Sequence, residues 1–203
     1  MIEVRRAEGG TRAWAEVPGE SYHASTGEYG GMWRRNARAP NRLVGVGFIA
    51  QGFDYASHYR RTAASRDPRA AWMFAGIDGE VIGDFGFAFG GAAGLEIDCA
   101  NPELGTPAHA LVVASSEGHS RTMRLVLEEV NSAFRSMHGE TWPAVKADVT
   151  FFEVDGGGAV FSTGSIAYPG SLMHAGGKNS VARLTGNVVR RFLDPAPFQP
   201  PAG

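Results

Sequence analysis

Twenty-eight of the 203 residues are glycine, about twice the usual share of roughly 7%. They fall in pairs and triplets, at Gly9-Gly10, Gly30-Gly31, Gly90-Gly91, Gly156 to Gly158 and Gly176-Gly177. The segments between them are apolar, which excludes a flexible linker. Glycine supplies the backbone conformations that tight turns need, so the pattern points to short strands joined by sharp turns. Leu43 to Ala50, Leu95 to Cys99, Ala110 to Ala114, Ala147 to Val154 and Ala159 to about Thr163 read as strands. A further strand is read at Ile2 to Arg5, and Ala70 to Ile77 and Glu80 to Phe87 read as a hairpin about Asp78-Gly79. Gly52 to Pro68, polar and rich in Arg, reads as a surface helix or loop.

Two helices are predicted. Ser120 to Phe134 carries Met123, Val126, Leu127, Val130 and Phe134 at helical spacing. The second starts at Asn179 or Ser180, either of which can cap it, and ends at Pro195. Its Val181, Leu184, Val188 and Phe192 form one apolar face, and Arg190 and Arg191 lie where the helix dipole favours positive charge. Both helices follow apolar strands, and Ala110 to Ala114 resembles the buried strands of parallel sheets. The expected fold class is α/β, a mixed sheet with flanking helices. Residues 1–195 read as one domain and 196–203 as a Pro-rich, extended or disordered tail. The pattern-free stretch from Gly9 to Pro40 holds Trp14, Tyr22, Tyr29, Met32 and Trp33, too much aromatic mass for a solvated coil. The strand at Met1 starts without a preceding turn, as a fragment of a longer chain would.

A formal net charge of -2 argues against nucleic acid as the main partner. One cysteine, Cys99, allows no internal disulfide and suits a reducing compartment. No leader or membrane-length apolar run is read, so the expectation is a soluble, cytoplasmic protein with no membrane partner.

Ser115, Ser116, Glu117, Gly118 and His119 stand between an apolar strand and the predicted helix. Loops at the carboxyl ends of strands bind ligands in open α/β sheets, and backbone N–H groups at a helix start suit an anion or oxyanion. Ser115, Ser116 and Glu117 are therefore candidate substrate-binding residues and His119 a candidate catalytic one. The alternative is that Ser116, Glu117 or Ser120 caps the helix and His119 lies on the surface. Glu96 is a second catalytic candidate. Flanked by Leu95 and Ile97, it is either partly buried and fit for acid–base work or an outward residue of an alternating strand. His23 to Glu28, HASTGE, lacks metal-ligand spacing, and no metal ligands are assigned. Asp84-Phe85-Gly86 has no kinase catalytic loop beside it, no G-x-S-x-G elbow surrounds Ser162, Ser165 or Ser171, and Cys99 reads as a packed thiol.

GGGAVFSTGSIAYPGSL followed by NSVARLTGNVVRRFLDP resembles the C-terminal end of the large (beta) subunit of N,N-dimethylformamidase. EVRRAEGGTRAWAEVPGE, TGEYGGMWRRNARAPNRLVGVGFIAQGFD, GLEID and LVVASSEGH match the same family pattern in order. The resemblance implies the C-terminal part of an amide hydrolase that cleaves the C–N bond of small formamides. It implies a region related to the glutamine-amidotransferase-like fold, and as partners a small amide substrate, the upstream region of the large subunit and a small subunit. In the family, two tyrosines and a glutamate hold a mononuclear iron, with His-Pro-Glu and Gly-Gly-Asn motifs around them, all upstream of this region. Neither motif occurs here, so no iron is expected on this chain alone and the chain by itself is expected to be inactive. Glu96, in GLEID, is the residue carried over as a carboxylate facing the iron water. The rival expectation, a noncatalytic docking module of the same fold, calls for an apolar patch around Trp14, Trp33 or Tyr168.

Overall fold

The computed structural model of the chain describes residues 37–126 and 136–201. A short helix α1, Asn41–Val44, turns through Gly45 into β1, Gly47–Arg61, which organises the sheet. The other strands are β2 (Val81–Ile82), β3 (Ala93–Cys99), β4 (Leu111–Glu117), β5 (Arg124–Leu125), β6 (Asp148–Val154) and β7 (Gly158–Ser162). The path runs β2-β1-β4-β6-β7, with β3 and β5 also on β1. The first half of β1 lies between β3 and β5 and its end between β2 and β4, so the sheet curls about this one strand.

Every pairing among the named strands is antiparallel. Sheet and helices are present as expected, but β4 is not a parallel strand: its partners β1 and β6 both run against it. The segment from Gly52 to Arg61 is strand rather than helix or loop. There Tyr59 points inward, fully buried, while Arg60 beside it is exposed, and this alternation lets a polar stretch form a half-buried strand. Residues 43 and 44 belong to α1 rather than to a strand. The hairpin about Asp78-Gly79 does not form: Ala71–Phe74 is a 3-10 turn, and β2 pairs with β1 instead.

The helix expected from Ser120 does not begin there. Met123 and Leu125 are buried and Arg124 is exposed, the two-residue period of a strand, and β5 lies along Ala50 and Gln51. Gly52 makes this crossing possible, because a Cβ on it would lie 2.6 Å from the Met123 Cα. The continuation of that predicted helix to Phe134, the strand at Ile2 to Arg5, the aromatic residues between Trp14 and Trp33, and the HASTGE segment lie outside the described residues.

The C-terminal helix is α3, Ser180–Leu193. Asn179 caps it, its side-chain oxygen accepting from the Ala182 N–H at 2.8 Å. Val181, Leu184 and Val188 are buried against the core, where Met73, Phe74 and Ile82 also sit, and Phe192 is more exposed than its spacing predicts. β6 is buried along nearly its whole length. The stretch from Gly164 to Gly177 contains α2 (Pro169–Leu172) and a 3-10 turn over His174–Gly177. The tail is extended, but it is packed: Phe198 meets Trp72, Phe151 and Phe192, and its N–H donates to the Gly157 carbonyl at 2.9 Å. Among the described residues no helix is long and apolar enough to cross a membrane.

Candidate functional site

β3 presents its carboxylates through a distortion. Leu95 has φ 67, left-handed backbone that side chains other than glycine seldom adopt, and the β1–β3 register shifts between Gly52 and Ser57 opposite it. Glu96 follows, level with Gln51, and Gln51 is in turn level with Arg124 of β5. Its side chain is exposed and makes no hydrogen bond or ion pair with another described residue. Two residues on, and so on the same face of the strand, stands half-buried Asp98. Burial, and after it the charge of Glu96, pushes the Asp98 carboxyl up from its ordinary value. Of the pair, Glu96 stands exposed and Asp98 half-buried. Of the two readings left open for Glu96, the outward-facing one describes its position. Backbone strain at Leu95 gave no sign in the letters GLEID.

His119 is placed elsewhere, with no contact to Glu96. It is buried beneath Gly139, and its Nε2 lies 2.6 Å from the Ser116 Oγ. Because that Oγ accepts the Ala147 N–H at 2.6 Å, its own proton is free to go to Nε2. Burial pushes the His119 pKa down to about 4, with a further lowering from His58, so the ring is neutral at pH 7. Ser116 and His119 thus tie the end of β4 to the start of β6.

Ser115 to Glu117 are strand residues, paired with His58, Tyr59 and Arg60 of β1, so their backbone is committed to the sheet and forms no helix-start cradle. Ser115 Oγ donates to Asp148 Oδ1 at 2.6 Å. Asp148 is buried, accepts the Ala100 N–H at 3.0 Å through Oδ2 and has Lys146 Nζ at 3.5 Å. The Glu117 carboxylate accepts from Arg60 at 2.8 Å and meets His58 Nε2 at 3.2 Å; the Arg60 guanidinium, chiefly, holds its pKa below the usual value. None of these side chains converges with Glu96. Two open clefts, one of about 800 Å3 between Gly76 to Val81 and Gly177 to Arg183 and one of about 500 Å3 along Ala37 to Val44, include none of these residues.

No three His, Cys, Asp or Glu side chains among the described residues converge as metal ligands. Of the three described phenols Tyr55 is exposed, and the other two are spent. Tyr59 is fully buried, donates to the Thr163 carbonyl at 2.6 Å and is held protonated by burial. Tyr168 shares a 2.9 Å hydrogen bond with Thr185, and burial pushes its pKa up to about 12. The described donor set does not fit an iron.

The described residues thus form a curled antiparallel sheet with an exposed acid on a distorted strand. Residues 1–181 match a family model described as N,N-dimethylformamidase beta subunit-like, C-terminal. The N,N-dimethylformamidase beta subunit of Paracoccus aminophilus is 40% identical over 201 residues, covering 98% of this chain and 26% of that relative. The protein of the same description from Alcaligenes sp is 38% identical over 200 residues, 97% of this chain and 26% of the relative. The chain belongs to the N,N-dimethylformamidase beta subunit-like, C-terminal family. It spans about a quarter of the length of these relatives.

Proposed function

We propose that the chain is the acid–base module of an amide hydrolase acting on the C–N bond of small formamides, active only when joined to the preceding part of such a subunit. The observation that carries this reading is Glu96, an exposed carboxylate without a partner among the described residues, in a chain that aligns almost end to end with dimethylformamidase beta subunits. An ionised Glu96 takes a proton from the water that attacks the formyl carbon. It returns that proton to the departing nitrogen, so that amide and water become formate and an amine. Asp98 keeps the neighbourhood acidic. Ser115, Ser116, Glu117 and His119 hold β4 against β1 and β6, and Ser115 reaches the end of β3 through Asp148, which accepts the Ala100 N–H. The resemblance implies an iron held by residues outside this chain. The likeness to glutamine-amidotransferase-like domains rests on the resemblance alone, and the antiparallel pairing of the described strands adds nothing to it. A cytoplasmic site of action fits the lone cysteine.

The reading is tested in a complete enzyme in which this chain replaces the matching region of the Paracoccus aminophilus beta subunit. Glu96→Gln should lower dimethylformamide turnover by at least 100-fold, the scale of a lost general acid–base, with iron content unchanged. Unchanged turnover would select the second reading, a noncatalytic docking module. That alternative is favoured by the exposed apolar side chains around β3, although Tyr168, expected among them, is buried.

A further inference from the structure

Twelve large apolar side chains are exposed among the described residues, and half of them lie on three segments joined by backbone hydrogen bonds to one another and to β3. Phe53 and Tyr55 stand in the irregular part of β1 opposite Leu95, Phe87 and Phe89 in the loop before β3, and Ile166 and Met173 on the stretch after β7. The Ile166 N–H donates to the Glu96 carbonyl at 3.2 Å, and the Ala56 N–H to the Phe89 carbonyl at 2.9 Å. The Phe87 N–H donates to the Gly170 carbonyl at 3.0 Å, and a Cβ on Gly170 would already touch Ala88 at 3.0 Å. His174 stacks on Phe85 with ring centroids 4.7 Å apart and holds Phe87 at 6.1 Å. Phe87 nevertheless stays 74% exposed and Met173 68% exposed. Phe89, like Leu95, has left-handed backbone, at φ 56.

A fixed apolar rim held open to water by hydrogen bonds is the mark of a surface made for a partner. We infer that this rim is the interface on which the preceding part of a dimethylformamidase beta-subunit-like polypeptide closes over Glu96. The occupant follows from three observations. The family model describes a C-terminal part. The relatives carry roughly three further quarters of chain, since the match spans 26% of each. The rim is also bonded, through the Ile166 N–H, to the backbone of Glu96, the one acid that the proposed function leaves without a pocket. This inference rests on that proposed function for its choice of partner, and it concerns docking rather than chemistry.

Hydrogen exchange on the chain alone and on the same chain within the Paracoccus aminophilus chimera tests it. Amides of residues 85–90 and 166–174 should exchange at least tenfold more slowly in the chimera. The double variant Phe87→Ser with Met173→Ser should remove that protection and weaken assembly, while leaving the urea midpoint of the isolated chain unchanged. The pair Val189→Ser with Leu193→Ser, on the outer face of α3, should leave the protection intact. A chimera that fails to assemble, or that assembles with these amides unprotected, overturns the inference. So does an assembly indifferent to Phe87→Ser with Met173→Ser. Glu96→Gln separates the two claims: full activity with the rim protected would end the proposed chemistry and leave the interface standing.

Discussion

His119 carries a pH dependence that follows from its burial. Its pKa is about 4 in the folded chain and 6.5 in an exposed reference. Between these values the unfolded chain binds the proton and the folded chain does not, so stability rises with pH across that window. The contribution is complete above pH 6.5 and is lost as pH falls through 4. Taking roughly 1.4 kcal/mol per pKa unit, the loss between pH 7 and pH 4.5 is about 2 to 3 kcal/mol. Urea unfolding at the two pH values should show it, and His119→Gln, which has no proton to bind, should remove that part of the slope. An identical slope in the variant would mean the ring is accessible in the fold. Little of this was legible in SSEGH: spacing brings His119 near Ser116, but only the pairing of β4 with β6 makes the pair an internal tie. Glu96 shows the converse. Its letters allowed both burial and exposure, and the left-handed Leu95 beside it belongs to a bulge that no residue type announces.

At the scale of elements, α3 was readable because its cap, apolar period and stop agree. The segment from Ser120 was not, since Met123 and Val126 fit a helical spacing as well as Met123 and Leu125 fit a strand, and β1 supplied edge partners that decided it. Asn179 does more than cap. Its oxygen takes the Ala182 N–H, while its amide donates to the Ser171, Leu172 and His174 carbonyls at 3.2, 3.1 and 2.8 Å. One side chain therefore fixes both the start of α3 and the end of the stretch that bears Met173. Asn179→Ala should cost about 2 kcal/mol, at the upper end for a lost cap. Asn179→Asp should retain the cap and lose only the two amide N–H donors and their three contacts, giving a smaller loss of stability but equally fast exchange at residues 173–178. Equal stability losses from the two variants would show that the cap contributes nothing.

Over the whole molecule, strand content was legible and strand direction was not. Apolar runs state that a strand is buried, yet in β4 Val113 and Ala114 are buried in succession between antiparallel neighbours, so the apolar run alone misled. The tail illustrates the same limit, because a proline-rich composition describes the unfolded chain and says nothing of a docking surface. Arg191 lies over the Phe198 ring at 3.8 Å and donates to the Ala196 carbonyl at 2.9 Å, so α3 grips the tail through charge and backbone together. Phe198 then packs on Trp72 and Phe151, residues about 50 to 130 positions away in sequence, and its N–H closes on the β6–β7 turn at Gly157. The tail so joins the 3-10 turn at Ala71–Phe74, β6, the β6–β7 turn and α3. Phe198→Ala removes a half-buried ring and its aromatic contacts, which should lower stability by about 2 kcal/mol. Phe198→Leu, which keeps apolar bulk without the ring, should recover about half of it. Urea unfolding distinguishes these from a tail of no consequence, for which both variants would unfold at the same denaturant concentration as the unaltered chain.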